Sequence, residues 1–236
     1  MPSISQWDLS LPIEGDRLTR RNQISAFYDA GDWKSTYREA RALLAAYPWS
    51  VDAHVTEAAL LGDFAEIFTG PDRDRRKAAA VRKLRYWVRT PPVKLPRSID
   101  YRARNELYYH VGDWKRQTLL GRYRCKHGEP QAAYSVGVGA AFYATELMRR
   151  GQALGAGRWA TEALSAWDRY FSTRPARNRF DTLTFRAVAL AVLGRFDEAE
   201  EELKVVAGLI GKDIRETTIY DVADRLSWCR RGLKIR

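Results

Sequence analysis

The chain has 236 residues, 45% of them hydrophobic and 29% charged, and its 40 Lys+Arg against 29 Asp+Glu leave a formal net charge of +11. That is enough apolar material to bury a core in one domain of ordinary size or two small ones. With 16 Gly, nine Pro and 12% aromatic residues, collagen-like, low-complexity and disordered chains are excluded.

The opening residues, MPSISQWDLSLPIEGDR, place no basic stretch ahead of an apolar run of signal-peptide length. No window reaches the roughly 18 uninterrupted apolar residues of a membrane span; the best one, 187–193, ends at Gly194-Arg195. Two cysteines, Cys125 and Cys229, cannot build a disulfide framework and suit a reducing compartment. A cytoplasmic chain is expected.

Strand signals are scarce, with no Asn-Gly or Asp-Gly hairpin turn and no sustained apolar/polar alternation. Helix signals run the length of the chain. Asp32, Ser50, Ser98, Asp113 and Asp213 each precede an apolar-periodic stretch as N-cap candidates, and Pro71 and Pro130 suit first-turn positions. Together they predict eleven helices near 16–30, 32–47, 51–69, 72–89, 99–111, 113–127, 131–152, 156–173, 178–193, 195–210 and 214–231, an all-α chain.

The predicted turns resemble one another. Gly31-Asp32-Trp33, Gly112-Asp113-Trp114, Gly157-Arg158-Trp159 and Gly194-Arg195-Phe196 each put glycine where a helix ends in the left-handed conformation and an aromatic two residues later. A recurring helix, glycine-x-aromatic turn and second helix is the signature of stacked helical hairpins. In this respect the chain resembles the tetratricopeptide-repeat (TPR) family. Residues 185–206 place Ala187, Leu190, Gly194, Phe196, Ala199 and Leu203 where that family has its packing residues, and Gly31, Trp33, Ala40 and Pro48 make a second match. Thr36 and Leu43 depart from the family's small residues and the turn glycines are unevenly spaced, with an intervening turn expected near Thr69-Gly70-Pro71.

The resemblance implies a right-handed superhelical stack of antiparallel hairpins, a TPR-like α-solenoid, as a single domain over 1–236. The three prolines of 90–97 favour an extended link, read here as an inter-repeat loop. The helix at 214–231, with Tyr220, Val222, Ala223, Leu226 and Cys229 on its apolar side, is expected to cap the stack.

Charge is unevenly placed. Residues 71–126 hold 17 Lys+Arg and five Asp+Glu, whereas the rest of the chain holds 23 and 24. On the helix at 72–89, Arg75, Arg82, Arg85 and Arg89 form one stripe opposite Ala80, Val81, Leu84, Trp87 and Val88. Such a stripe suits an anionic partner; the alternative is a solvated face in an arginine-rich chain.

A second set comes from the two Gly-Asp-Trp hairpins, whose first helices carry Arg21 with Tyr28 and Arg102 with Tyr109, each pair about two turns apart and on one face. In the TPR family the first helix of each hairpin lines a peptide-binding groove. The resemblance therefore implies that Arg21, Ser25, Tyr28, Arg102, Glu106, Tyr109 and His110 face that groove, where guanidinium groups capture carboxylates or phosphates. The alternative is that the tyrosines pack between helices and the arginines cover them.

Catalytic signals are thin. His54, His110 and His127 stand at no metal-ligand spacing with either cysteine. The glycine-rich stretches 135–140 and 151–157 follow no strand and lack a phosphate-loop Lys-Ser/Thr; close helix approach explains the first and an inter-helix turn the second. The acidic run 197–202 suits a helix start. The expected function is a non-catalytic binding scaffold without metal or cofactor, its partner an acidic or C-terminal segment of another protein. The alternative is nucleic acid, with Trp87, Tyr101 and Trp114 available for stacking.

Overall fold

A computed structural model of the chain describes residues 7–10, 15–30, 32–65, 67–173 and 179–210. These residues carry ten α-helices: α1 (Gly15–Asp29), α2 (Trp33–Ala46), α3 (Val51–Ala65), α4 (Gly70–Arg89), α5 (Arg97–Val111), α6 (Trp114–Lys126), α7 (Ala133–Arg149), α8 (Ala153–Thr173), α9 (Arg179–Val192) and α10 (Phe196–Ile210), with a 3₁₀ turn (Pro130–Ala132) before α7. The expected capping helix at 214–231 and its cap Asp213 lie outside the described residues. Among the described residues the only β-type pairing is an isolated bridge between Asp8 and Ser50. No helix among them is long and apolar enough to cross a membrane.

Local chemistry sets most boundaries. Asp32 and Asp113 accept the backbone N–H of Ser35 and Arg116, at 3.0 and 3.2 Å, and so cap α2 and α6. Ser50 Oγ takes the N–H of Ala53 at the start of α3. Ser98 does not act as a cap: α5 starts at Arg97, with Pro96 in the cap position and no side-chain bond. The proline ring holds φ at −55°, already near helical, so the helix opens before Ser98 is reached.

The chain forms two compact units, Met1–Gly112 and Asp113–Arg236. In the first, each of α1 to α4 packs on its successor, and α3 also meets α5. Helix α3 is apolar around most of its circumference, with Val51, Ala53, Val55, Ala58, Ala59, Leu60, Leu61 and Ala65 all buried, so it lies enclosed by its neighbours. Its polar residues are answered. Asp52 is held by two arginines, and Glu57 accepts from Lys83 Nζ at 2.6 and 2.8 Å and from the Tyr37 hydroxyl at 3.0 Å.

The proline-rich stretch is a loop within this unit. Val93 is buried with Val51, Val55, Trp87, Ile99 and Ala103, and Leu95 packs against the same group. The division of the chain falls instead at Gly112, which ends α5 with φ +72° in the left-handed region. Trp7 packs its ring within 5.4–5.7 Å of Trp49, His54 and Trp87, tying the segment 7–10 to the same unit.

In the second unit α7 is the enclosed helix, packed on α6, α8 and α9. The close approach expected from 135–140 is present: a Cβ on Gly137 would sit 2.4 Å from the Trp167 ring, and one on Gly139 2.5 Å from Thr118 Oγ1. The α9–α10 turn follows the expected pattern, with Gly194 at φ +77° and Ala187, Leu190, Ala199, Leu203 and Val206 buried. The turn assigned to Gly157 is displaced. Gly157 lies inside α8, and the left-handed residue is Gly151, at φ +73°. Trp159 is therefore a helical residue, edge-on to Tyr143 at 4.7 Å, rather than a corner plug.

Candidate functional site

Helix α4 begins with Pro71 in its first turn, places Asp72 near its N-terminus and ends on Arg89, charges that suit the helix dipole. Ala80, Leu84 and Trp87 are buried while Arg75, Arg82, Arg85 and Arg89 are exposed. The 3.6-residue period thus separates core from charge as expected. Arg75 pairs with Asp72 at 2.8 Å. Arg82, Arg85 and Arg89 have no ion-pair or hydrogen-bond partner for their side chains among the described residues.

Tyr86 was not singled out by the sequence, yet it lies on this stripe, one turn from both Arg82 and Arg89, and is 45% exposed. Its ring stands edge-on to Trp87, 5.3 Å away. The signal was present: Tyr86 shares the helical phase of the arginines. The cations at the flanks of the stripe are engaged elsewhere, Arg76 over the Phe68 ring at 4.2 Å and Lys83 with Glu57.

The second residue set is arranged differently. Arg21 of α1 and Arg102 of α5 converge on Asp52, whose side chain is fully buried in α3, with N–O separations of 3.2 and 2.8 Å. Both also reach Thr56 Oγ1, at 2.5 and 3.0 Å, and Arg102 adds a bond to the Asp52 carbonyl at 2.9 Å. Tyr28 packs edge-on to Trp33 at 4.8 Å, and Ser25 is half-buried beside Ile24. Glu106 accepts from Asn105 Nδ2 at 3.3 Å, and the Tyr109 ring lies 5.1 Å from His110.

His110 is enclosed, its side chain only 1% exposed, and Nε2 donates to the Ala59 carbonyl at 3.0 Å. Its ring fills the space a side chain on Gly62 would take, 2.2 Å from an added Cβ. Burial pushes its pKa down to about 4, and the nearby Lys77 charge acts in the same direction. The imidazole is therefore neutral at pH 7, with the proton on Nε2 fixed by the carbonyl it faces.

Of the aromatics suited to base stacking, Trp87 is interior at 4% exposed, and Trp114 is half-buried and packs on Phe142 at 4.6 Å. Trp87 follows the apolar period of α4, so it turns inward while its neighbour Tyr86 turns out. Among the described residues no group of three His, Cys, Asp or Glu side chains is placed to hold a metal ion. No protein-family model, curated protein or solved structure matches the chain.

Proposed function

We propose that this chain is a non-catalytic binding scaffold, similar to TPR proteins, that takes an acidic, extended segment of a partner protein along the exposed face of α4. One observation carries the reading: Arg82, Arg85 and Arg89 are exposed without partners among the described residues and share their face with the half-exposed ring of Tyr86. Arginines with a carboxylate in reach use it, as Arg21 and Arg102 do with Asp52. Guanidinium groups one turn apart match carboxylates spaced along an extended chain, and tyrosine adds apolar contact with a hydroxyl.

The solenoid architecture belongs to the same proposal. It is supported by the order of neighbours within each unit, where every helix packs on the next and the alternate pairs α3–α5 and α7–α9 also meet, as stacked hairpins require.

The test is fluorescence anisotropy with a labelled peptide rich in Asp and Glu, measured beside a labelled single-stranded oligonucleotide. Saturable peptide binding that weakens at least about tenfold in Arg82→Glu/Arg85→Glu/Arg89→Glu, and less in Tyr86→Ser, supports the reading. Oligonucleotide binding that is tighter than peptide binding and falls steeply with salt would replace it with a nucleic-acid interface. No binding of either probe would refute both.

A further inference from the structure

The second unit contains a cleft of about 590 Å³ bounded by α6, the 3₁₀ turn, the start of α7 and the end of α8. We propose that this cleft is a binding site for a compact organic anion, a ligand with one carboxylate or phosphate head and a small apolar body. Its volume falls in the range of small-molecule sites, about 300–1,000 Å³.

The charge of the lining decides the sign of the ligand. Its one acid, Glu162, is held by Arg122, whose Nε lies 2.6 Å from Oε1 and whose Nη2 bonds Oε2. The same guanidinium lies over the Trp159 ring at 4.7 Å, which fixes the pair in place. Arg122 and Glu162 therefore cancel. Two further cations of the lining, Lys126 and Arg169, have no carboxylate partner among the described residues. Lys126 sits in the last turn of α6, where helix-end carbonyls tolerate positive charge, and Arg169 lies one turn before the end of α8; together they leave the cleft with two unanswered positive charges.

The apolar part of the ligand follows from the rest of the lining. Pro130, Ala133 and Val136 line the cleft; Pro130 is exposed and supplies the apolar contact surface, while Ala133 and Val136, each 1% exposed, belong to the core. A head near Lys126 and Arg169 would put an apolar body against this surface, and a bare inorganic ion would leave it unused.

Cys125 also lines the cleft and reports on it. Burial pushes the thiol pKa up, while the charges of Arg169 and Arg124 oppose that shift. The experiment reads alkylation of Cys125 by peptide mapping on the full-length chain, with octanoate, octanol and inorganic phosphate as probes. Octanoate is expected to protect Cys125 saturably, with at least about tenfold greater apparent affinity than octanol or phosphate. The Lys126→Gln/Arg169→Gln variant is expected to lose about tenfold of that protection, with helix content unchanged by circular dichroism.

An independent reading uses the unmodified protein. Anionic iodoacetate should gain on neutral iodoacetamide at Cys125, relative to the ratio for a free thiol such as N-acetylcysteine, and lose that gain at high salt. Equal protection by octanol and octanoate would overturn the proposal in favour of an apolar cavity. Equal protection by phosphate would reduce the site to a bare anion hole, and no protection by any probe would remove it.

Discussion

Arg21 of α1 and Arg102 of α5, from distant parts of the sequence, hold the same buried carboxylate of Asp52 between them. Each guanidinium also reaches Thr56 Oγ1 one turn along α3. The repeated Arg–Tyr pattern of α1 and α5 thus marks the two sides of one polar junction, through which the enclosed helix α3 is fastened to both helices.

Asp52→Asn leaves two cations facing each other without a counter-charge. Because both arginines keep about a quarter of their side chains in solvent, 29% and 26%, the expected loss is at the low end for a broken buried pair, about 3 kcal/mol by urea denaturation. Arg21→Gln alone should cost less, about 1 kcal/mol, since Arg102 still neutralises Asp52. A loss below that of a surface mutation for Asp52→Asn would show that the junction contributes little.

His110 makes the first unit sensitive to acid. Its pKa is about 4 in the fold against 6.5 for the free side chain, so between pH 6.5 and 4 the unfolded chain binds a proton that the folded chain refuses. Its contribution is complete above pH 6.5 and falls as pH decreases, by about 3 kcal/mol at pH 4. Wild type should lose stability over this window faster than His110→Gln. Parallel pH profiles from denaturant titrations would contradict it.

Glu202 acts with the opposite sign in the second unit. Burial raises its pKa from 4.5 to about 7 and outweighs Arg186, 3.3 Å away, which pulls the other way. Glu198 and Asp168 add to the rise, Arg195 opposes it, and Oε2 is buried without a donor among the described residues. Between pH 4.5 and 7 the folded chain holds the proton that the unfolded chain has released, so this group's contribution to stability declines as pH rises. Glu202→Gln should be more stable than wild type at pH 8, relative to the same comparison at pH 5, by about 2 kcal/mol. An unchanged difference at the two pH values would remove the assignment.

Two glycines on neighbouring helices should respond in opposite directions. Gly137→Ala drives a methyl group to 2.4 Å from the Trp167 ring and must part α7 from α8, at a cost of roughly 1–3 kcal/mol. Gly157 is helical with open space around its Cβ position, so Gly157→Ala should stabilise by about 0.5–1 kcal/mol. Thermal melts of the two variants moving the same way would contradict this arrangement.

Much of the secondary structure was legible because its causes are local. Asp32 and Asp113 cap the helices they precede, Gly112 and Gly194 close the helices before them, and the apolar period of α4 separates Leu84 and Trp87 from Arg82 and Arg89. Errors arose where two local signals competed. Pro96 opened α5 ahead of Ser98, and Gly151, without an aromatic two residues later, took the turn expected at Gly157.

The sequence by itself determined the all-α character, the helix boundaries to within a few residues and the basic stripe of α4, since caps, breakers and the 3.6-residue period act over a handful of neighbouring residues. Tertiary structure alone decided which charges remain available. Whether an arginine meets a carboxylate depends on contacts across the chain, so only the packing of α1, α3 and α5 shows that Asp52 takes up Arg21 and Arg102 while Arg82, Arg85 and Arg89 keep theirs for solvent. The same holds for the cleft beside Cys125, whose walls come from separate helices and exist only once these have packed.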